Sequence, residues 1–454
     1  MKNWQTEKIL NAWNKLTSGS INRQIFAAAV TVALGTALVK VVALVKELVV
    51  AWKFGIGDTL DAFLIALLVP SFLINVIAGS FNSALIPTYI QVREQEGKNA
   101  AQKLFSGTAV WSLALLGITT ILMLVTAPLY LPLIAAGFSV QKLDLTFKLL
   151  CAIAPLVLLS GIINIWSAVL NAGERFALAA LAPIMPPAIT ILLLLLVNSW
   201  GVFALAAGLV CGAVLEMIFL GAALHRQGIS LRPKWHGFDA NLRQVANQYP
   251  PMIAGSFLMC SANLVDQSMA AMLSPGSVAA LNYGNRVIAF PITLTTTALS
   301  TAVIPYFSKM VAHQNWTSVR HTLKRYMWFI FMTTVPLTGI LILFSESIVQ
   351  ILFQRGSFTA SDTHIVAQIQ SHFALQIPFY VANILIVRLI SSLVYNQVLM
   401  YGAAINLIAN IILNYLFMQT IGIAGIALST SFVYAISFVF LLGFWLRFSR
   451  KNSI

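Results

Sequence analysis

The chemistry in this sequence begins with lysines in a place where lysine is costly. Lys40, Lys46 and Lys53 recur at intervals near seven inside ALGTALVKVVALVKELVVAWKFG, a stretch otherwise apolar and long enough to cross a bilayer. An ionised side chain at mid-membrane costs at least about 2.5 to 3.5 kcal/mol, so a helix that keeps several is expected to face a wet cavity or an anionic ligand. Lys40 and Glu47 share one helical face; Lys46 and Lys53 share another, about a third of a turn away. Lys40 can therefore pair with Glu47, and Lys53 can snorkel to an interface. The acid nearest Lys46 in sequence is the adjacent Glu47, which points in a different direction, so Lys46 is expected to face the cavity. Together they suggest a path for something negative.

The remaining intramembrane charges are few. Asp61 opens the second apolar stretch, where a carboxylate at a helix N-terminus is an ordinary cap. Arg286, in LNYGNRVIAFP, lies too deep in its stretch to be a simple interfacial anchor. Asp266, in CSANLVDQSMA, reads equally well as its counter-ion or as a cation site in ion-coupled transport. Arg388 and Glu216 lie where snorkelling accounts for them, and His364 and His372 read as satisfied helix residues. Cys151, Cys211 and Cys260 stand in apolar segments without metal-ligand spacing and read as inert thiols. No Walker A motif, zincin pattern or Ser/His/Asp arrangement is present. The expectation is a protein that is not an enzyme, with no catalytic residues, metal or cofactor, driven by a gradient or the membrane potential.

The elements that must position these residues are membrane helices. The 454 residues are 59% hydrophobic and only 9% charged, whereas a soluble domain is about one quarter charged. A window of about 20 apolar residues predicts twelve spans, near 26–52, 60–87, 107–134, 146–171, 177–198, 201–224, 246–272, 277–305, 327–353, 366–394, 398–419 and 422–446. With a cytoplasmic N-terminus, nineteen of the 27 Lys and Arg residues fall inside and three (Lys142, Lys148, Arg355) outside, so both termini are expected in the cytoplasm. The net charge of +14 is then mostly topology, spread over short loops, and argues against nucleic acid. The first residues, MKNWQTEKILNAWNKLTSGSINRQ, read as a basic amphipathic surface helix rather than a cleaved signal.

The chain also repeats itself. ALIPTYIQVREQEGKNAAQKL (84–104) is echoed by AVIPYFSKMVAHQNWTSVRHTL (302–323), GFSVQKLD (137–144) by GSFTASD (356–362), Pro155 by Pro378, and GVFALAAGL (201–209) by GIAGIALST (422–430). Six spans per half make this a parallel repeat, and transporters so built hold substrate between the halves. The expected organisation is an N-terminal segment (1–23), a six-helix lobe (24–225), a cytoplasmic linker (226–244), a second six-helix lobe (245–447) and a basic tail (448–454). The fold class is thus an all-α polytopic membrane protein with two pseudo-symmetric lobes around a central cavity. Prolines 70, 183, 186, 187, 250, 251, 291 and 378, with Gly79, are candidate kinks.

The run VKVVALVKELVVAWKFGIGDTLDAFLIALLVPSFLINVIAGSFNSALIPTYIQ, continued through LNYGNRVIAFP, AVIPYFSK and GSFTASD, resembles the MurJ/MviN lipid II flippases of the multidrug/oligosaccharidyl-lipid/polysaccharide exporter superfamily. The order and spacing of these short motifs, over most of the chain, carry the likeness. The resemblance implies that Lys40 and Lys46 occupy positions of two family arginines in a cationic cavity, Asp61 that of the acid beginning span two, and Arg286 that of the cavity arginine in span eight. The family's further basic residues in span two fall here near Ile74 and Asn75, and its Glu before the Gly-Ala-Phe motif is missing at Ala78-Gly79. The family usually has fourteen spans, the last two forming a lipid groove, against twelve here. Lysine replaces a bidentate fork with a point charge, which attracts pyrophosphate but orients it less strictly.

What the resemblance implies is a multi-pass bacterial inner-membrane flippase moving a polyprenyl-pyrophosphate-linked saccharide, such as lipid II, to the outer leaflet by alternating access. Lys40, Lys46, Asp61 and Arg286 would line the substrate site, with Glu47 and Asp266 as ion or counter-charge positions. Partners would be the lipid-linked oligosaccharide, bilayer lipids and cell-envelope synthesis enzymes. Alternatives are an exopolysaccharide or O-antigen repeat-unit flippase, a cation-coupled drug exporter, which should have an acidic rather than a basic cavity, and a transport-dead scaffold.

Overall fold

A computed structural model describes residues 21–451 apart from 174, 232, 233, 236, 315 and 394. Of the expected surface segment 1–23, residues 1–20 lie outside the described residues, as do Arg232 and the last three tail residues, whereas Ile21, Asn22 and Arg23 are the first turn of the long helix that continues to Phe54. Every described element is helical: α1 (Ile21–Phe54), α2 (Asp58–Leu73), a π-turn (Ile74–Ala78), α3 (Gly79–Gln95), α4 (Lys98–Ile134), α5 (Val140–Ile153), α6 (Pro155–Ala172), α7 (Phe176–Leu181), α8 (Met185–Leu196), α9 (Phe203–His225), α10 (Ala240–Ala271), α11 (Ser277–Ala312), α12 (Trp316–Leu343), α13 (Ser345–Phe353), α14 (Ala360–Ala374), α15 (Gln376–Ser392), α16 (Asn396–Ile421) and α17 (Ile423–Lys451). Helices are the economical way to cross lipid because they satisfy their own backbone groups. Nine stretches among the described residues are long and apolar enough to span. The other three expected spans fall on α1, α10 and α11, the helices that carry Lys40, Lys46 and Glu47, then Asp266, then Arg286.

The repeat is visible in the backbone. Gly201 (φ 52°, ψ −130°) precedes α9 and Gly422 (φ 62°, ψ −138°) precedes α17, so the paired motifs adopt the same glycine-only conformation. The breaks at Ala154, between α5 and α6, and at Leu375, between α14 and α15, match in the same way. In the first half α2 and α3 are separated by the π-turn, whereas α11 is continuous. Gly79 is helical, at φ −63°, and its N–H donates to the Ile74 carbonyl five residues back. The irregularity expected at Gly79 therefore lies in the turn before it, where one extra residue is accommodated.

Two compact units are present. One comprises residues up to Val49, Leu73–Leu124 and Cys151–Met252; the other comprises Val50–Phe72, Val125–Leu150 and Ile253–Ile454. The first unit packs around a core that includes Leu85, Leu104, Ile165, Leu170, Leu220, Leu224 and Val245. In the second, a smaller cluster of Ile386, Ile390 and Leu441 joins α15 to α17.

The second unit contains a reciprocal pair of backbone contacts. A Cβ at Gly137, in the turn before α5, would lie 2.4 Å from the Ala271 carbonyl oxygen at the end of α10; one at Gly356, before α14, would lie 2.4 Å from the Trp52 carbonyl oxygen near the end of α1. These are the same motif, one in each half, each lying against the end of the opposite half's first helix. Ser357 N–H completes the second contact by donating to the Trp52 carbonyl at 2.8 Å.

Candidate functional site

On α1, Gly35 lies against Ala180 and Leu181 of α7 with no room to spare, which sets the helix's packed face. Lys40, on the next turns, is exposed and makes no ion pair or hydrogen bond with its side chain among the described residues. Glu47 does not take Lys40 as its partner: its Oε1 lies 2.8 Å from Lys46 Nζ, and both side chains are partly buried. Adjacent residues leave a helix about 100° apart, but two long side chains reach around that angle. This ion pair lowers the net positive charge that α1 presents.

Asp61 is almost fully buried. Its Oδ2 accepts from Gly276 N–H at 2.7 Å and from Lys142 Nζ at 3.1 Å, and its Oδ1 accepts from Ala279 N–H at 2.8 Å. It is a helix cap, as its position suggested, but the helix it caps is α11, not its own α2. The first backbone N–H groups of a helix have no intrahelical acceptor and a carboxylate there also meets the favourable end of the helix dipole. Lys142 Nζ also bonds exposed Asp58 Oδ1 at 2.6 Å and sits 3.8 Å from the centre of the Phe138 ring. The sequence predicts Lys142 only as an outside loop cation; nothing local marks it as the partly buried partner of two acids.

Arg286 is exposed on α11, which is tied to α10 by Asn282 Nδ2 donating to Gln267 Oε1 at 2.9 Å. Asp266, on α10, accepts from Asn414 Nδ2 at 2.6 Å and Asn410 Nδ2 at 2.9 Å; Thr430 Oγ1 donates to the Ile426 carbonyl at 3.1 Å. Asn414 is fully buried and its Oδ1 has no hydrogen-bond partner. The two asparagines lie four residues apart in an apolar helix (NIILN), a spacing that puts both amides on one face and is the signal in the sequence for this pairing. Among the described residues no group of three His, Cys, Asp or Glu could hold a metal ion.

The structure thus brings together Lys46 with Glu47, Asp61 with Lys142 and α11, and Asp266 with α16. Lys40, Lys46 and Glu47 belong to the first unit; Asp61, Asp266 and Arg286 belong to the second. Ile74, Asn75 and Ala78 all fall on the π-turn. That turn is pinned by Tyr249, whose hydroxyl donates to the Ile77 carbonyl at 2.8 Å and whose ring packs on Phe81 and Trp111.

Nine stretches among the described residues that are long and apolar enough to cross a bilayer, together with an internal repeat, are the build of a multi-pass membrane protein. A family model described as "Lipid II flippase MurJ" matches residues 50–452, and the chain belongs to that family. It is 28% identical over 431 residues to a "Probable lipid II flippase MurJ" of Synechocystis sp., covering 91% of this chain and 80% of that one. A protein of the same description from Thermotoga maritima is 27% identical, covering 90% and 83%. Among solved structures, "Lipid II flippase MurJ, inward closed conformation" superposes with a TM-score of 0.80 at 24% identity, covering 93% of this chain and 90% of that one. An inward-facing multidrug resistance MATE transporter gives 0.76 at 15%, covering 94% and 100%, so the fold is shared beyond the family.

Proposed function

We propose that this chain is a flippase for lipid II, a polyprenyl-pyrophosphate-linked saccharide precursor of peptidoglycan, carried from the cytoplasmic to the outer leaflet of a bacterial inner membrane by alternating access. The observation that carries the reading is the family match over residues 50–452. Among the cargoes that the sequence admits, the relatives' names favour lipid II over exopolysaccharide repeat units, drugs or a scaffold role. Lys40, Lys46 and Arg286 supply the positive charge that attracts the pyrophosphate, an attraction that strengthens as water is excluded. Lysine's mobile point charge makes this a less geometrically strict site than an arginine fork. Both termini are cytoplasmic in this reading, and enzymes of cell-envelope synthesis are the natural partners.

The test is complementation of a strain depleted of its lipid II flippase. Wild type should restore growth, and Lys46→Ala and Arg286→Ala should not. Equal rescue by all three would remove the cationic site; failure of wild type alongside normal membrane insertion would remove lipid II as cargo.

Asp266 has a second role in this scheme. Of its two expected roles, cation site and counter-ion of Arg286, the first is favoured by the buried, unpartnered Asn414 Oδ1 beside its carboxylate. Carboxylate and amide oxygens are hard donors suited to a small alkali or alkaline-earth cation. Ion binding there would couple transport to a cation gradient.

A further inference from the structure

The cytoplasmic linker ends in a polar concavity that the charges discussed above do not explain. It has a volume of about 600 Å³ and is lined by Phe238, Asp239, Ala240, Arg243, Gln244, Asn247 and Gln248. That volume is ample for a small-molecule headgroup, for which pockets run from about 300 to 1,000 Å³. Positions 240, 243, 244 and 247 form one stripe of α10 at helical spacing. The opposite stripe, Leu242, Val245 and Tyr249, is buried in the first unit's core. The helix is therefore locked by one face while its polar face lines the cavity.

The composition of that face is unusual for a helix exposed to solvent. It has a single cation and three amides instead of the alternating Lys and Glu of a merely solvated surface. The side chains of Arg243, Asn247 and Gln248 have no hydrogen-bond or ion-pair partner among the described residues, and Gln244 has only a 3.5 Å contact with Gln91. Asp239, by contrast, is committed: its Oδ1 accepts from Leu242 N–H at 2.8 Å as the cap of α10. Beside the amides stands an aromatic platform. Phe238 is 57% exposed and Trp235 is 49% exposed, with ring centres 5.4 Å apart, and Trp111 supports Phe238 from 6.1 Å.

Free amides each offer two donors and an acceptor, matching hydroxyl and acetamido groups, while an exposed aromatic ring covers the apolar face of a sugar. One unpaired guanidinium adds affinity for an acidic group. We propose that Phe238, Arg243, Gln244, Asn247 and Gln248 form a subsite that reads the saccharide portion of the lipid-linked substrate from the cytoplasmic side. The assignment rests on the flippase reading above. It gives the substrate two separately recognised parts, the pyrophosphate by Lys40, Lys46 and Arg286, and the sugar by α10.

The experiment uses the full chain in phosphatidylglycerol/phosphatidylethanolamine nanodiscs and two probes, polyprenyl pyrophosphate and the same lipid carrying its saccharide. Wild type should bind the glycosylated lipid about tenfold more tightly. The triple variant Arg243→Ala, Gln244→Ala, Asn247→Ala, and separately Phe238→Ala, should lose that preference while binding bare polyprenyl pyrophosphate as wild type does, which also shows that they fold. Lys46→Ala should weaken both probes equally. A preference undiminished in the triple variant and in Phe238→Ala, or parallel loss of both probes in them, overturns the subsite. Wild type that binds neither lipid overturns the flippase reading, and the subsite with it.

Discussion

Lys142 Nζ lies 3.1 Å from Asp61 Oδ2, and the two residues come from different helices of the first half, yet the carboxylate they share is aimed at the start of α11 in the second. Removing Asp61 leaves a lysine that is 11% exposed without its buried partner and two backbone N–H groups without an acceptor. Asp61→Ala should therefore cost about 3 to 5 kcal/mol, the range for breaking a buried pair from one side. Asp58→Ala should cost under about 1 kcal/mol, because Asp58 is 57% exposed. Melting in detergent micelles separates the two; equal effects would mean that Asp61 acts only as another surface acid.

Gly356 should tolerate no side chain. Its φ of +58° penalises any L-residue, and a Cβ would press on the Trp52 carbonyl oxygen and indole. Gly356→Ala should lower the melting midpoint, with a cost above the 1 to 2 kcal/mol or so of the backbone conformation alone. Gly117 sits in α4, where an added methyl group would meet nothing within 4 Å, so Gly117→Ala should be neutral or stabilising by up to about 1 kcal/mol.

Tyr249→Phe keeps the packing on Phe81 and Trp111 and removes only the bond to Ile77. A loss of about 1 kcal/mol is expected, against about 3 to 5 kcal/mol for Tyr249→Ala. Faster amide exchange at residues 74–79 in Tyr249→Phe, without change elsewhere, would show that the hydroxyl stabilises the π-turn; unchanged exchange there would show that the ring alone does so.

If Asp266 helps to hold a cation, sodium should raise the melting midpoint of wild type but not of Asp266→Asn. Binding to the folded state adds about 2.7 kcal/mol at a hundredfold excess over Kd. Identical curves in sodium and choline chloride would return Asp266 to a purely structural role with Asn410 and Asn414.

The helical architecture and the repeat were legible because hydrophobic length and motif order are local properties of the chain. The charged residues were legible as anomalies for the same reason. Their partners were a different matter. The sequence places Asp61 as a cap on the helix it opens, whereas the N–H groups it serves lie 215 and 218 residues further on, at the start of another helix. Helical geometry separates the Cα–Cβ directions of Lys46 and Glu47, which hides their pairing in the sequence, and side-chain length undoes that separation. The π-turn left no residue signature at all: Pro70 and Gly79 are both helical, and the extra residue lies between them.

The reciprocal glycine contacts bear on how the protein is made. The turn at Gly137 emerges from the ribosome well before Ala271, and Asp61 long before Gly276 and Ala279. Until those later residues arrive, the first half carries a carboxylate whose only native partner already synthesised is Lys142. The ends of its helices at residues 50–72 and 125–150 therefore cannot finish packing while synthesis is in progress. The first half must wait in the bilayer, inserted but incomplete, for the second to be translated.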